Sequence, residues 1–131
     1  MDRIFQHYEG EIGELIGARF TSAKFLVDDL DNDICLIWFY DESYKYWYRL
    51  FIDGIYCGVD RYTLDNSIND DDDDVTWQDH SGWFKNKVVS SAEVSFSGKI
   101  GDDIVLTICF GENEFKLICK FEAGNCRVEF A

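Results

Sequence analysis

Five successive carboxylates, Asp70, Asp71, Asp72, Asp73 and Asp74, form the densest charge in the chain. With Asp60, Asp65 and Asp79 they put eight acids and one arginine between Asp60 and His80. Carboxylates hold calcium when they alternate along a loop with glycine at its sixth position and glutamate at its twelfth. Counted from Asp65, Asp70 stands where the glycine belongs and Thr76 where the glutamate belongs, so no EF-hand loop is written here. A carboxylate array also imitates phosphate spacing and suits the basic groove of a nuclease. Without a partner, the same run reads as a solvated linker of mutually repelling charges.

Other reactive constellations are missing from the sequence. His7 and His80 belong to no H-E-x-x-H and have no cysteine at zinc-finger spacing. Neither G-x-S-x-G, Walker A nor G-x-G-x-x-G occurs. No enzyme, metal or cofactor is therefore expected. The five cysteines, Cys35, Cys57, Cys109, Cys119 and Cys126, form no C-x-x-C pair, and three sit in apolar runs. They read as reduced thiols acting as small apolar residues. Binding chemistry is better represented. Tyr44, Tyr46, Trp47 and Tyr48 fall within five residues, and Trp77 follows the acidic run. Tyrosine and tryptophan carry much of the energy at protein interfaces.

The whole-chain charge agrees with that reading. Twenty-six acids against twelve bases give a formal charge of −14. Such a field repels nucleic acid and anionic membrane and draws in basic proteins. No apolar stretch approaches 18 residues and the opening residues carry no apolar leader core, so a cytoplasmic protein is expected.

A period of two in the apolar residues predicts a mainly β protein. Strands are expected over 33–40, 46–52, 55–59, 90–96, 104–110, 115–121 and 126–130, with Asp53-Gly54 as a hairpin turn. A short helix is expected within 2–16, placing Ile4, Phe5, Tyr8 and Ile12 on one side. Two segments echo each other. GARFTSAKF (17–25) aligns with NKVVSSAEV (86–94), and DICLIWFYDE (33–42) aligns with DIVLTICFGE (103–112). The expectation is one domain, 1–131, built from two antiparallel meanders in a pseudo-duplicated sandwich or continuous sheet. The half-repeats span about 12–60 and 82–131, with an acidic linker at about 60–80.

The alignment also assigns faces. In the second half Ile104, Leu106, Ile108, Phe110, Phe115, Leu117 and Cys119 point inward, while Lys116, Ile118 and Lys120 face water. In the first half it turns Ile34, Leu36, Trp38 and Tyr40 inward, and Tyr46, Tyr48 and Leu50 outward. That outer face is too apolar to stay bare. The N-terminal segment, a second copy of the chain or another protein are its three candidate covers.

The opening LIGARFTSAKF (15–25), its echo FKNKVVSSAEV (84–94) and the strand end LFIDG (50–54) resemble small acidic immunity proteins of bacterial contact-dependent inhibition and other polymorphic toxin systems. That resemblance implies neutralisation of a cognate toxin protein through its basic C-terminal domain, often a nuclease, by steric and electrostatic blockade. The candidate partner-binding acids are Asp60, Asp65, Asp70, Asp71, Asp72, Asp73, Asp74 and Asp79. The candidate partner-binding rings are Tyr44, Tyr46, Trp47, Tyr48 and Trp77. A homo-oligomeric scaffold, with the chain as a homodimer, is the alternative.

Overall fold

In Ile104–Phe110 every second residue is apolar, so the segment can bury one face only as an extended strand. In the computed structural model it does so, and Ile104, Leu106, Ile108 and Phe110 are all buried. The structure describes residues 2–28, 33–53, 56–63, 75–96, 103–120 and 126–131. The chain is mainly β, with 68% of the described residues in strands.

Eleven strands build two antiparallel sheets among the described residues. They are β1 (Asp2–His7), β2 (Gly10–Glu11), β3 (Phe20–Asp28), β4 (Ile34–Asp41), β5 (Tyr46–Asp53), β6 (Tyr56–Tyr62), β7 (Val75–Asp79), β8 (Ser91–Phe96), β9 (Ile104–Phe110), β10 (Asn113–Cys119) and β11 (Cys126–Phe130). The larger sheet has the order β1-β6-β5-β4-β3-β7, and the smaller β11-β10-β9-β8-β2. A four-residue helix, α1 (Ser81–Phe84), leads from β7 towards the second sheet. Apolar residues of both sheets join in one cluster, a β-sandwich-like arrangement. Its centre is aromatic. Phe84 lies within 6.4 Å, ring centre to ring centre, of Phe20, Phe25, Phe39, Phe110 and Phe115.

The two expected meanders are present. β3 to β6 pair in succession, and so do β8 to β11. The aligned pairs Phe20/Val89, Ala23/Ala92 and Phe25/Val94 are all buried. The expected turn at Asp53-Gly54 falls at Gly54 on a position outside the described residues.

Several expectations are corrected. Residues 2–7 are a strand on the edge of β6 rather than part of a helix, and the only helical turn described before β3 is the 3-10 turn Gly13–Leu15. Gly10 adopts φ +135°, which breaks a helix and lets the chain pass from the first sheet to the second. This segment therefore does not lie over the outer face of the larger sheet. The expected linker at 60–80 contains strand at both ends, because β6 runs on to Tyr62 and β7 pairs with β3. The faces of β4 and β5 are also exchanged. Leu26 pairs with Leu36 but Val27 with Ile34, so an extra residue bulges from β4. Beyond the bulge Ile37 and Phe39 are buried, while Leu36, Trp38 and Tyr40 turn outward and are half-buried. On β5, Tyr48 and Leu50 are buried and Trp47, Arg49 and Phe51 face out.

In the second half Ile118 is buried as well, at 8% exposure, between Lys116 and Lys120 along the chain and opposite Val105 on β9. The cysteine expectation fails for one pair. Cys119 and Cys126 sit directly opposite each other on β10 and β11 and are joined as a disulfide.

Candidate protein-recognition face

The β4 bulge delivers a set of large side chains to the outer face of the larger sheet. Hydrogen-bonded neighbours place Lys24, Trp38, Arg49, Asp60 and Arg3 in one row across five strands. The next row holds Tyr40, Trp47 and Tyr62. On the other side lie Trp77, Leu26 and Leu36, and then Phe51 opposite Gly58. Alternation along β3, β4 and β5 puts the large side chains of these rows on the side away from the core, and they remain half-buried there.

Asp60 organises the middle of the face. It is fully buried, and both of its carboxylate oxygens accept from guanidinium groups. Arg3 Nε donates to Oδ1, and Arg49 Nε (3.1 Å) and Nη2 donate to Oδ2. A carboxylate removed from water this completely is tolerable only with charged, hydrogen-bonded partners. The Asp60 hydrogen bond also pushes the Arg3 guanidinium further above its ordinary pKa. Arg3 hydrogen-bonds Gln6 Oε1 at 2.8 Å. Arg3 and Arg49 lie 5.2 and 5.5 Å from the centre of the Phe51 ring, and Arg49 is 5.8 Å from that of Tyr62. These are cation–π distances. Carboxylate and rings together fix two long side chains that would otherwise lose considerable rotamer entropy on binding a partner.

The tryptophans and tyrosines pack against each other at an angle. Trp38 meets Trp47 at 77° and Tyr62 at 46°, and Tyr40 meets Trp47 at 53°. Such tilted packing gives a corrugated surface of edges and faces. Stacked bases would need ring faces presented in line. Trp47 Nε1 is buried and has no acceptor among the described residues.

No protein-family model matches the chain, and no curated protein or solved structure matches it. Among the described residues no group of three or more histidine, cysteine, aspartate or glutamate side chains could hold a metal ion, and no helix is long and apolar enough to cross a membrane.

The residues singled out from sequence are dispersed. Trp47 and Trp77 lie on the outer face. Asp79, next to Lys24 in register, is exposed at the end of β7 and accepts from Ser81 N (2.9 Å) and Ser81 Oγ. These hydrogen bonds hold its carboxyl below the usual carboxylate range. Tyr44 is 48% exposed, but on the β4–β5 turn, where its hydroxyl donates to Ile16 O at 2.9 Å. Tyr46 is half-buried under Arg61, 4.6 Å away. Two candidates are overturned. Tyr48 is fully buried in the core, and desolvation raises its phenol pKa above the ordinary value. Asp60 is not part of a surface array, because two arginines have taken it inside. The rest of the expected carboxylate array, Asp65, Asp70, Asp71, Asp72, Asp73 and Asp74, lies outside the described residues.

Sequence reasoning missed Arg3, Lys24, Trp38, Tyr40, Arg49, Phe51 and Tyr62. One signal was available. Trp47, Arg49 and Phe51 alternate with Tyr48, Leu50 and Ile52, and the arginine marks the set that cannot enter a core. The β4 bulge gave no such signal, so the rings it turned outward read as core.

Proposed function

We propose that this chain is an immunity-type inhibitor that binds a cognate, basic toxin protein through the outer face of its larger sheet. The arrangement of half-buried Trp38, Tyr40, Trp47 and Tyr62 around two arginines pinned by Asp60 carries this reading. Tryptophan, tyrosine and arginine are the residues that dominate binding energy at protein interfaces. The corrugated ring packing favours a protein partner over a stacked nucleic acid.

Charge supports the same partner class. Three cations (Lys24, Arg3 and Arg49) against two carboxylates (Asp60 and Asp79) leave the patch at +1, so the rest of the chain carries −15 towards the total of −14. A nearly neutral aromatic contact on a strongly acidic molecule separates two tasks. The long-range field, to which Asp70, Asp71, Asp72, Asp73 and Asp74 contribute, steers a basic partner and raises its association rate, while the patch itself holds it in place. Action in the cytoplasm, where an incoming toxin would be met, belongs to this proposal.

The test is co-expression with the C-terminal domain of the large secreted protein expected immediately upstream of the gene. The chain should protect the cells and co-purify with that domain one to one. Trp47→Ala with Arg49→Ala should weaken the complex at least ~100-fold, the loss expected for two central anchors, with the fold retained by circular dichroism. An upstream gene of another kind, or a complex indifferent to both changes, overturns the proposal. Concentration-dependent light scattering abolished by the same changes would assign the face to a second copy instead.

A further inference from the structure

The second meander ends in a strand held from one side only. β11 is the outermost strand of the smaller sheet, with β10 as its single neighbour among the described residues. The register runs from Phe115 opposite Phe130 to Cys119 opposite Cys126. Each end of this ladder is reinforced in its own way. At the Phe130 end Ala131 N donates to Glu114 O at 2.8 Å, and Glu114 N donates back to Ala131 O at 3.1 Å. At the other end the Cys119–Cys126 disulfide closes the ladder, and Cys126 N donates to the Asp33 carboxylate just before β4. β11 thereby reaches across to the larger sheet. Its Phe130 ring lies 5.0 Å from Trp83, 5.6 Å from both His80 and Phe115, and 6.3 Å from Phe25, nearly parallel to the last. Phe25 and Phe115 are fully buried, and β11 is part of their cover.

We propose that Cys119 and Cys126 form a reversible thiol–disulfide staple whose redox state sets how firmly β11 is held over the aromatic core. The two sulfurs differ in access, since Cys119 is 7% exposed and Cys126 is half-buried. The incoming thiolate of a small thiol such as glutathione attacks the Cys126 sulfur. A mixed disulfide forms there, and Cys119 leaves as a thiolate that takes up a proton. A second glutathione thiolate attacks the glutathione sulfur of the mixed disulfide, so oxidised glutathione departs and the Cys126 thiolate is protonated. The balance is one protein disulfide and two thiols consumed for two cysteines and one small disulfide, and oxidised glutathione drives the reverse. Reduction leaves β11 with its backbone ladder and the Phe130 contacts. The cross-link no longer ties the two strand ends together, so local opening of the edge strand becomes easier.

The experiment uses the full chain equilibrated with reduced or oxidised glutathione, read by alkylation mass spectrometry and amide hydrogen exchange. In oxidised glutathione Cys119 and Cys126 should resist iodoacetamide, and in reduced glutathione both should alkylate. Amides of β11 should exchange at least ~10-fold faster after reduction, while β3, β4 and β5 are unchanged. The double variant Cys119→Ser, Cys126→Ser should behave as the reduced chain in both buffers, and Cys109→Ser should behave as the unchanged protein. If the serine pair fails to fold, reduction of the unaltered chain still decides the matter. Full alkylation of both cysteines in oxidised glutathione overturns the proposal. So does β11 exchange that ignores redox state, or a loosening that spreads evenly through both sheets.

Discussion

The Phe51 ring lies over Gly58, its cross-strand neighbour on β6, so closely that a Cβ at Gly58 would meet the ring. The glycine therefore works through the space it leaves open. It lets an aromatic ring lie down on the sheet, where Arg3 and Arg49 both approach it. Gly58→Ala should lift the ring and disperse the guanidinium pair. Phe51 is only half-buried and can swing into solvent, so the stability cost should be about 1 kcal/mol. Urea denaturation measures that cost, and partner binding should fall more than stability does. Unchanged affinity for the proposed partner would contradict the arrangement.

Asp60→Ala removes the carboxylate that stands between Arg3 and Arg49 in the row and leaves two cations facing each other over the sheet. Breaking such a group from one side should cost about 3 kcal/mol. The arginine side chains are 32% and 31% exposed and can turn towards water, which holds the loss to the low end of that class. Replacing all three, Asp60→Leu with Arg3→Met and Arg49→Met, should recover most of the stability, because apolar packing avoids the desolvation of the charges. Chemical denaturation of the single and triple variants gives the comparison. A triple variant no more stable than the single one would show that the charges contribute more than they cost.

His80 is packed 4.3 Å from the Phe25 ring, and burial holds its imidazole below its ordinary pKa of 6.5 while Asp79 pulls weakly the other way. The unfolded chain therefore takes up this proton at higher pH than the folded chain. The stability that His80 contributes is complete above about pH 6.5 and is lost as the pH falls from there through the lower folded value. Thermal melting at pH 7.5 and 5.5 should show a smaller drop for His80→Phe than for the unchanged chain, since the other titrations are common to both. Equal drops would remove His80 from the pH response.

Cys57 lies in the core and burial pushes its thiol up to about 12. At pH 8 almost none of it is thiolate, the reactive form. Maleimide should label Cys57 only as fast as the chain unfolds, while half-buried Cys109 on β9 reacts in the native state. Urea should abolish the difference, and rapid native labelling of Cys57 would contradict its placement.

How far the fold was legible follows from particular residues. The strand at Ile104–Phe110 was readable because nothing interrupts its period of two, and burial follows the alternation throughout. Ile34–Asp41 was readable as a strand but not in phase, since its bulge depends on how β3 pairs with it rather than on any residue in β4 itself. A one-residue shift exchanges the faces, so Trp38 and Tyr40 changed sides together, and the altered phase of β5 sent Tyr48 into the core. The N-terminal segment carried apolar residues at a spacing that suits one side of a helix, and an open edge on β6 claimed it as a strand.

Composition and periodicity were local properties, and they sufficed for the acidic character, the two meanders and the positions of most strands. Which carboxylate is buried, which rings meet and which cysteines join are relations between residues far apart in the chain. Asp60 meets Arg3 across 57 positions and Arg49 across 11, and only strand pairing brings the three into one row. Burial energies depend on those neighbours, so the same aspartate reads as a solvated charge in the chain and becomes the anchor of two arginines in the sheet.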